Sequence, residues 1–329
     1  MSAVIDFSEL QLLSNRAFAR WVPRVATNEW LREVSGESRF VWDLDAMQDG
    51  FLDPLYEIFD KHPERWRPIL AAGLMQAADI DAASQDAVLA ALELQFLTSI
   101  MLTRFRNGRT AAEAQSAGEI PFAVIATVSY TARQYAPTLV IRHAASLSPD
   151  AKTWLAYRFG RVTVQGAAGA AYNLFRWETK KTLMDESSYL AYLRYFVSSA
   201  SFVLSADCAI AAAAPISTFA AQLQEASACA GIAYHLAAEC ETWRGDDGAS
   251  LEPGHFLMGP NHAPDRRDAG PFDGSENIGR WLALAKAERD KAEQCTQGLP
   301  RSLQAVFLDF LESAVDAKLT TEREAASAK

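Results

Sequence analysis

Along this chain apolar residues recur at steps of three and four far more often than in strict alternation, and that period belongs to helices. In "DPLYEIFDKH", Leu55, Ile58 and Phe59 mark one face of an amphipathic helix, and Pro54 sits in a first turn that tolerates it. The run "DAVLAALELQFLTSIMLTRF", opened at Ser84, sets Leu89, Leu92, Phe96, Ser99 and Thr103 along one face, with Gly108 placed to end it. The same spacing predicts helices over Ile120 to Tyr135, Pro149 to Lys180, Glu186 to Ala214, Ile216 to Thr242, Asn277 to Gln297 and Pro300 to Leu319. No stretch reads convincingly as a strand, so the expectation is an all-α chain of roughly ten or more helices. The segment Val197 to Ile216 is apolar and about long enough to span a membrane. Asp207 and its small polar positions argue instead for a helix buried in a bundle, and no integral membrane segment is expected.

Composition narrows the functional classes. The 329 residues are 50% hydrophobic and 22% charged, enough to bury a large core. A net charge of -10 and a pI near 5.1 oppose general affinity for nucleic acid, which rests on a basic surface. Cys208, Cys229, Cys240 and Cys295 show neither CxxC spacing nor the density of a secreted scaffold, so free thiols in a reducing cytoplasm are expected. The opening "MSAVIDFSELQLL" lacks a basic stretch followed by a continuous apolar one, so no signal peptide is read there.

One long stretch is irregular. Arg244 to Gly274, "RGDDGASLEPGHFLMGPNHAPDRRDAGPFDG", far exceeds the usual loop of about 4 to 6 residues and reads as a lid, a binding loop or a disordered segment. Its His255, His262, Asp265, Asp268 and Asp273 fit no closed zinc spacing. "WDLDAMQD" at Trp42 to Asp49 reads as a solvated helix start. No P-loop, GxSxG or dinucleotide fingerprint is present.

Taken together, the small motifs follow a recognisable order. "ERWRP" at Glu64 to Pro68 looks like "GKRLRP", and "ELQFLTSIMLTRF" matches "ELLHTASLVHDDI" at Glu93, Leu94 and Ser99. "NGRTAAEAQSAGEIPFAVIATVSY" sits on "RGKPTVHVKYGEALAILAGDALL" through Gly108, Thr110, Gly118, Glu119 and Ala123. "GAAYNL" at Gly169 to Leu174 is similar to "GQALDL", and "GIAYHLAAECETW" at Gly231 to Trp243 to "GLAFQIRDDLLDV". In this order the chain resembles the trans-isoprenyl diphosphate synthases of the polyprenyl synthetase family, over about Asp53 to Leu319. The resemblance implies the isoprenoid synthase fold, a single helical domain over 1–329 around a central cavity. Residues 244–274 would be a loop or lid and 320–329 a flexible tail.

The departures matter more than the matches. Family members ionise an allylic diphosphate with magnesium held by two aspartate-rich motifs, because hard cations need carboxylate oxygens. Here the first aspartate pair corresponds to Thr103 and Arg104, and the second motif to Ala238, Glu239 and Thr242. The glutamine and aspartate of "GQxxD" correspond to Ala170 and Asn173, with Gln165 offering another register; the "KT" pair corresponds to Phe196 and Val197, and the "FQ" glutamine to His235. Neither a resident metal nor another cofactor is therefore expected. Arginines stand where acids would: Arg104, Arg106 and Arg109, with Arg65 and Arg67 expected at the same rim, form a candidate grip for an anionic head. A solvated helix end with a favourable dipole explains the same arginines.

The resemblance further implies that Ser99 and Thr98 border the cavity that limits chain length, with Thr103 above them and Phe96 able to block it. Asn173, His235 and Glu239 are the candidate catalytic groups, as a general base or as stabilisers of a cation; a satisfied buried polar network is the structural alternative. Two functional expectations result. One is an enzyme of isoprenoid metabolism that binds a prenyl-chain substrate and acts by prenyl transfer, cyclisation or a related conversion without the usual ionisation. The other is a non-catalytic partner of an active prenyl synthase. A cytoplasmic homodimer is expected, or a heteromer under the second reading.

Overall fold

The computed structural model describes residues 6–36, 39, 41–61, 65–106, 122–175, 186–213, 218–244 and 274–320. Every regular element among them is helical, as the period predicts. They divide into two compact units, Asp6–Gly160 and Arg161–Lys329, and the boundary falls inside one continuous helix.

In the first unit, α1 (Phe7–Trp21) starts because the Asp6 side chain accepts from the Ser8 N–H at 2.9 Å, filling an otherwise orphaned donor. Thr27 caps α2 (Asn28–Ser35) the same way through Trp30, and Gly36, at φ 70°, closes it in the left-handed conformation that glycine adopts without strain. The chain then forms α3 (Leu44–Met47), a π-turn at Gln48–Leu52 and α4 (Asp53–Lys61). Asp43 caps α3, accepting from Ala46 N–H at 3.0 Å, so the acids of "WDLDAMQD" do open a helix. After α5 (Trp66–Ala77), a 3₁₀ turn at Ala82–Gln85 carries Ser84, and α6 (Asp86–Arg106) begins two residues later than the pattern suggests. The cause is Asp81, which caps the 3₁₀ turn by accepting from Ala83 N–H at 3.0 Å.

Helix α7 (Phe122–His143) runs past Tyr135, where the sequence pattern ends it, and contains Pro137. It tolerates the lost donor because it lies along α6, whose apolar side chains Leu89, Leu92 and Leu97 are buried, as are Ala132, Ala136, Leu139 and Val140 of α7. At about 25 cal/mol per Å² of apolar surface, such burial is what holds helices of low intrinsic propensity together. Against the inner face of α1, Phe18 stacks on Phe59 at 4.4 Å between centroids and meets Tyr56 edge-on at 5.6 Å.

Helix α8 (Pro149–Phe175) carries the chain into the second unit. The predicted helix from Glu186 to Ala214 is broken there: α9 (Glu186–Tyr192) passes into a π-turn at Leu193–Val197 and a 3₁₀ turn at Ser198–Ala200 before α10 (Phe202–Ala212), with a bend of 41°. The serines explain the break. Ser199 Oγ donates to the Tyr195 carbonyl at 2.6 Å and Ser201 Oγ to the Ser198 carbonyl at 3.2 Å, which draws carbonyls out of the helical ladder. Helix α10 is buried over Phe202–Ala209, and its Asp207 accepts from Gln224 Nε2 at 2.6 Å, so the acid that argued against a membrane span is satisfied in protein. No single helix among the described residues is long and apolar enough to cross a membrane.

The unit is completed by α11 (Ala220–Arg244), α12 (Gly274–Cys295) and α13 (Arg301–Phe310), which runs on through a π-turn at Leu311–Asp316. Helices α11 and α12 lie together, and Phe202, Tyr234, Phe307 and Phe310 form an edge-to-face aromatic cluster at 5.0 to 5.8 Å. All four cysteines are free thiols; Cys208, Cys229 and Cys240 are buried. The predicted loop is outside the described residues beyond Arg244 and before Gly274, and so is the predicted tail beyond Thr320.

Candidate functional site

Helix α6 organises the first set of candidate residues. At its middle lies Glu93, 0% exposed, with the Arg65 Nε 3.3 Å from one carboxylate oxygen. Neither Glu93 oxygen accepts a well-formed hydrogen bond among the described residues. Burial therefore dominates and pushes the Glu93 carboxyl up from 4.5 to about 7, with Arg65 and then Arg67 pulling it back down. Arg65 is itself buried. Its guanidinium donates to Asn15 Oδ1 and, at 2.7 Å, to the Phe59 carbonyl, and it stacks 3.4 Å above the Phe59 ring. Burial lowers its pKa more than Glu93 raises it. Arg65 thus serves the frame: it ties α1, α4 and α6 together from within. Arg67, two residues on, lies over the Phe96 ring at 3.9 Å, an arrangement that keeps both side chains ordered.

One turn further along α6, Thr98 and Ser99 each donate to the Gln95 carbonyl at 2.9 Å. Their remaining lone pairs accept from a residue the sequence reading did not single out. Arg133 of α7 donates through Nε to Thr98 Oγ1 at 3.1 Å and through Nη2 to Ser99 Oγ at 3.5 Å. The signal for Arg133 was legible: it lies four residues after buried Ser129 and three before buried Ala136, on the inward stripe of a helix, where a charge is unusual. Thr103, Arg104 and Arg106 occupy the last turn of α6, and their side chains lie outside the described part. Arg109 lies outside the described residues.

The second unit holds the other candidates, and two glycines bring their helices onto the broken segment. A Cβ at Gly169 of α8 would come within 2.6 Å of Phe196 Cβ, and one at Gly231 of α11 within 2.7 Å of Ser198 Oγ. Only glycine permits either approach. Asn173 follows Gly169 by four residues, and His235 and Glu239 follow Gly231 at steps of four, so each polar candidate continues the stripe that its glycine begins. His235 is half-buried, its ring edge-on to Tyr234 at 5.8 Å. The side chains of Asn173 and Glu239 lie outside the described part. Lys318 stands 5.4 Å over the Tyr234 ring. Among the described residues no group of three His, Cys, Asp or Glu side chains gathers as a metal site; His255, His262, Asp265, Asp268 and Asp273 lie outside them.

The whole chain can be set against known structures. It superposes on a geranylgeranyl pyrophosphate synthetase from the archaeon Geoglobus acetivorans with a TM-score of 0.65 at 15% identity, covering 95% of this chain and 98% of that one. Farnesyl diphosphate synthase of T. brucei matches with a TM-score of 0.69 at 12% identity, over 93% and 99%. A geranyltransferase from Helicobacter pylori, complexed with magnesium and isoprenyl diphosphate, matches with a TM-score of 0.62 at 12% identity, over 94% and 98%. No family model matches the sequence, and no curated protein matches it. The protein has the all-α fold of the trans-isoprenyl diphosphate synthases, carried by a sequence far from theirs.

Proposed function

We propose that the protein binds a ligand with a prenyl chain and an anionic head, and converts it by prenyl transfer, cyclisation or a related step without magnesium-dependent ionisation of a diphosphate. One observation carries this reading: in a chain with this fold over nearly its full length, α6 has Thr103 and Arg104 where the resemblance places paired aspartates, and Arg106 follows them. A guanidinium offers donors and no lone pair, and a single hydroxyl does not replace the paired carboxylate oxygens that a hard divalent ion takes. A guanidinium does suit phosphate or carboxylate directly, through two parallel N–H donors.

In this reading Arg104, Arg106 and Arg109 hold the head, Arg67 and Phe96 border it, and Thr98, Ser99 and Thr103 line the entry for the chain. Arg65 supports them from inside the frame. Asn173, His235 and Glu239 are assigned to proton abstraction or to stabilising positive charge on the ligand. We read the chain as one domain that works in the cytoplasm as a homodimer, with no role in binding nucleic acid. The test is a dissociation constant for geranylgeranyl diphosphate. A value unchanged by chelator and weakened by roughly 10-fold or more in Arg104→Ala supports the reading, since one charged hydrogen bond is worth about 1.5–3 kcal/mol; absence of binding at high ligand concentration, or a strict need for magnesium, overturns it.

The same substitutions favour a second reading, a non-catalytic partner of an active prenyl synthase. Co-purification separates the two: a stoichiometric partner with both aspartate motifs intact supports the second, and turnover by the lone protein excludes it.

A further inference from the structure

Arg133 is placed as few arginines are. Its guanidinium sits between α6 and α7, partly withdrawn from solvent, and every hydrogen bond it makes to a described residue goes to a neutral hydroxyl. No carboxylate among the described residues lies within ion-pair distance of it, and burial alone depresses its pKa, with no acid to raise it. The same unit pairs its buried Arg65 with Glu93, the Asn15 side chain and the Phe59 carbonyl. A withdrawn cation without a counter-charge is unfavourable, and proteins either pair it or supply the anion from outside.

The surroundings of Arg133 are arranged rather than accidental. Thr98 and Ser99 both spend their protons on the Gln95 carbonyl, so their lone pairs are fixed toward Arg133 and set the plane of its fork. A guanidinium offers five N–H donors; Nε and Nη2 serve the two hydroxyls, and Nη1 makes no hydrogen bond to a described residue. Pro137 cannot donate to the Arg133 carbonyl, as an ordinary residue four positions on in the helix would. The residue is half-buried, so a ligand oxygen can reach it.

We propose that Arg133, oriented by Thr98 and Ser99, is the cation of an oxyanion-binding site beside the middle of α6, taking a carboxylate or phosphate group through Nη1 and the remaining N–H of Nη2. The site goes beyond the function proposed above, because it requires neither a prenyl chain nor the arginines that end α6.

The experiment uses the full chain, chelator throughout, and two probes that separate a free anion from the head of an amphiphile: inorganic diphosphate and palmitate, each followed by calorimetry. The expected result is that the wild type binds at least one probe, that Arg133→Met weakens that binding by roughly 10- to 100-fold, the worth of a charge-assisted hydrogen bond, and that the same loss appears when Arg133→Met is made in an Arg104→Ala background. Binding of diphosphate identifies a free anion as occupant, and binding of palmitate alone identifies an amphiphile's head. Should Arg133→Met not fold, Arg133→Lys is read instead, since it keeps a cation without the fork: weakened binding supports the site and undiminished binding overturns it. Failure of both probes to bind the wild type, or equal binding by the folded Met variant, overturns the proposal.

Discussion

Two arginines reach into helix α6 from neighbouring segments, five to six residues apart in their targets, and the protein treats them oppositely. Arg65 meets Glu93, an amide oxygen, a carbonyl and an aromatic face. Arg133 meets two hydroxyls. A cation surrounded by acceptors and a counter-charge is committed to the fold. Of these two arginines, the second, which meets two hydroxyls among the described residues, is the one proposed to meet a ligand.

The largest effect expected is at Arg65. Replacing it with methionine leaves Glu93 buried without its counter-charge, and breaking such a pair destabilises by roughly 3–5 kcal/mol. Urea unfolding at pH 8 measures this. At pH 5.5 the loss should shrink, because Glu93 can then accept a proton; a loss equal at both pH values would show that the pair is not what Arg65 contributes.

The second effect is the pH dependence of the wild type. Glu93 ordinarily titrates at 4.5 and does so at about 7 in the folded chain, so between those values the native state holds a proton the unfolded state has released. Stability therefore falls as pH rises through that window, and the whole penalty, about 3 kcal/mol at most, stands above pH 7. In Glu93→Gln this part of the slope disappears. A wild type whose unfolding free energy stays flat from pH 4.5 to 7 would break the comparison at its Arg65 end.

The smallest effect is at Arg24 and Asp60, which lie beside the Arg65 cluster and make an exposed bidentate pair at 2.7 and 3.0 Å. Arg24 holds the Asp60 carboxyl below its ordinary range, yet both side chains are more than half exposed, so solvent screens the pair. Asp60→Asn is expected to change stability by less than about 1 kcal/mol. A larger loss would mean that the support of Arg65 extends to the surface.

Helical class and element order were legible because a 3.6-residue period is written locally, in side chains that each helix must bury on one side. Boundaries failed where short polar residues intervened. Asp81 delays α6, and Ser199 and Ser201 break the helix predicted from Glu186 to Ala214, since a serine hydroxyl competes for a carbonyl only in a particular backbone geometry. The glycines at 169 and 231 were visible as motif residues, but their close approaches to Phe196 and Ser198 were not.

By itself, then, the sequence determined an all-α protein, the helices that compose it, and a helix α6 whose last turn carries Arg104 and Arg106. Tertiary structure alone decided that Arg65 turns inward to Glu93 while Arg133, far off in the chain and outside every motif, lies against Thr98 and Ser99. The physical reason is range: periodicity and capping act over a few residues, whereas the desolvation of a charge and the identity of its partner depend on which distant helix comes to lie beside it.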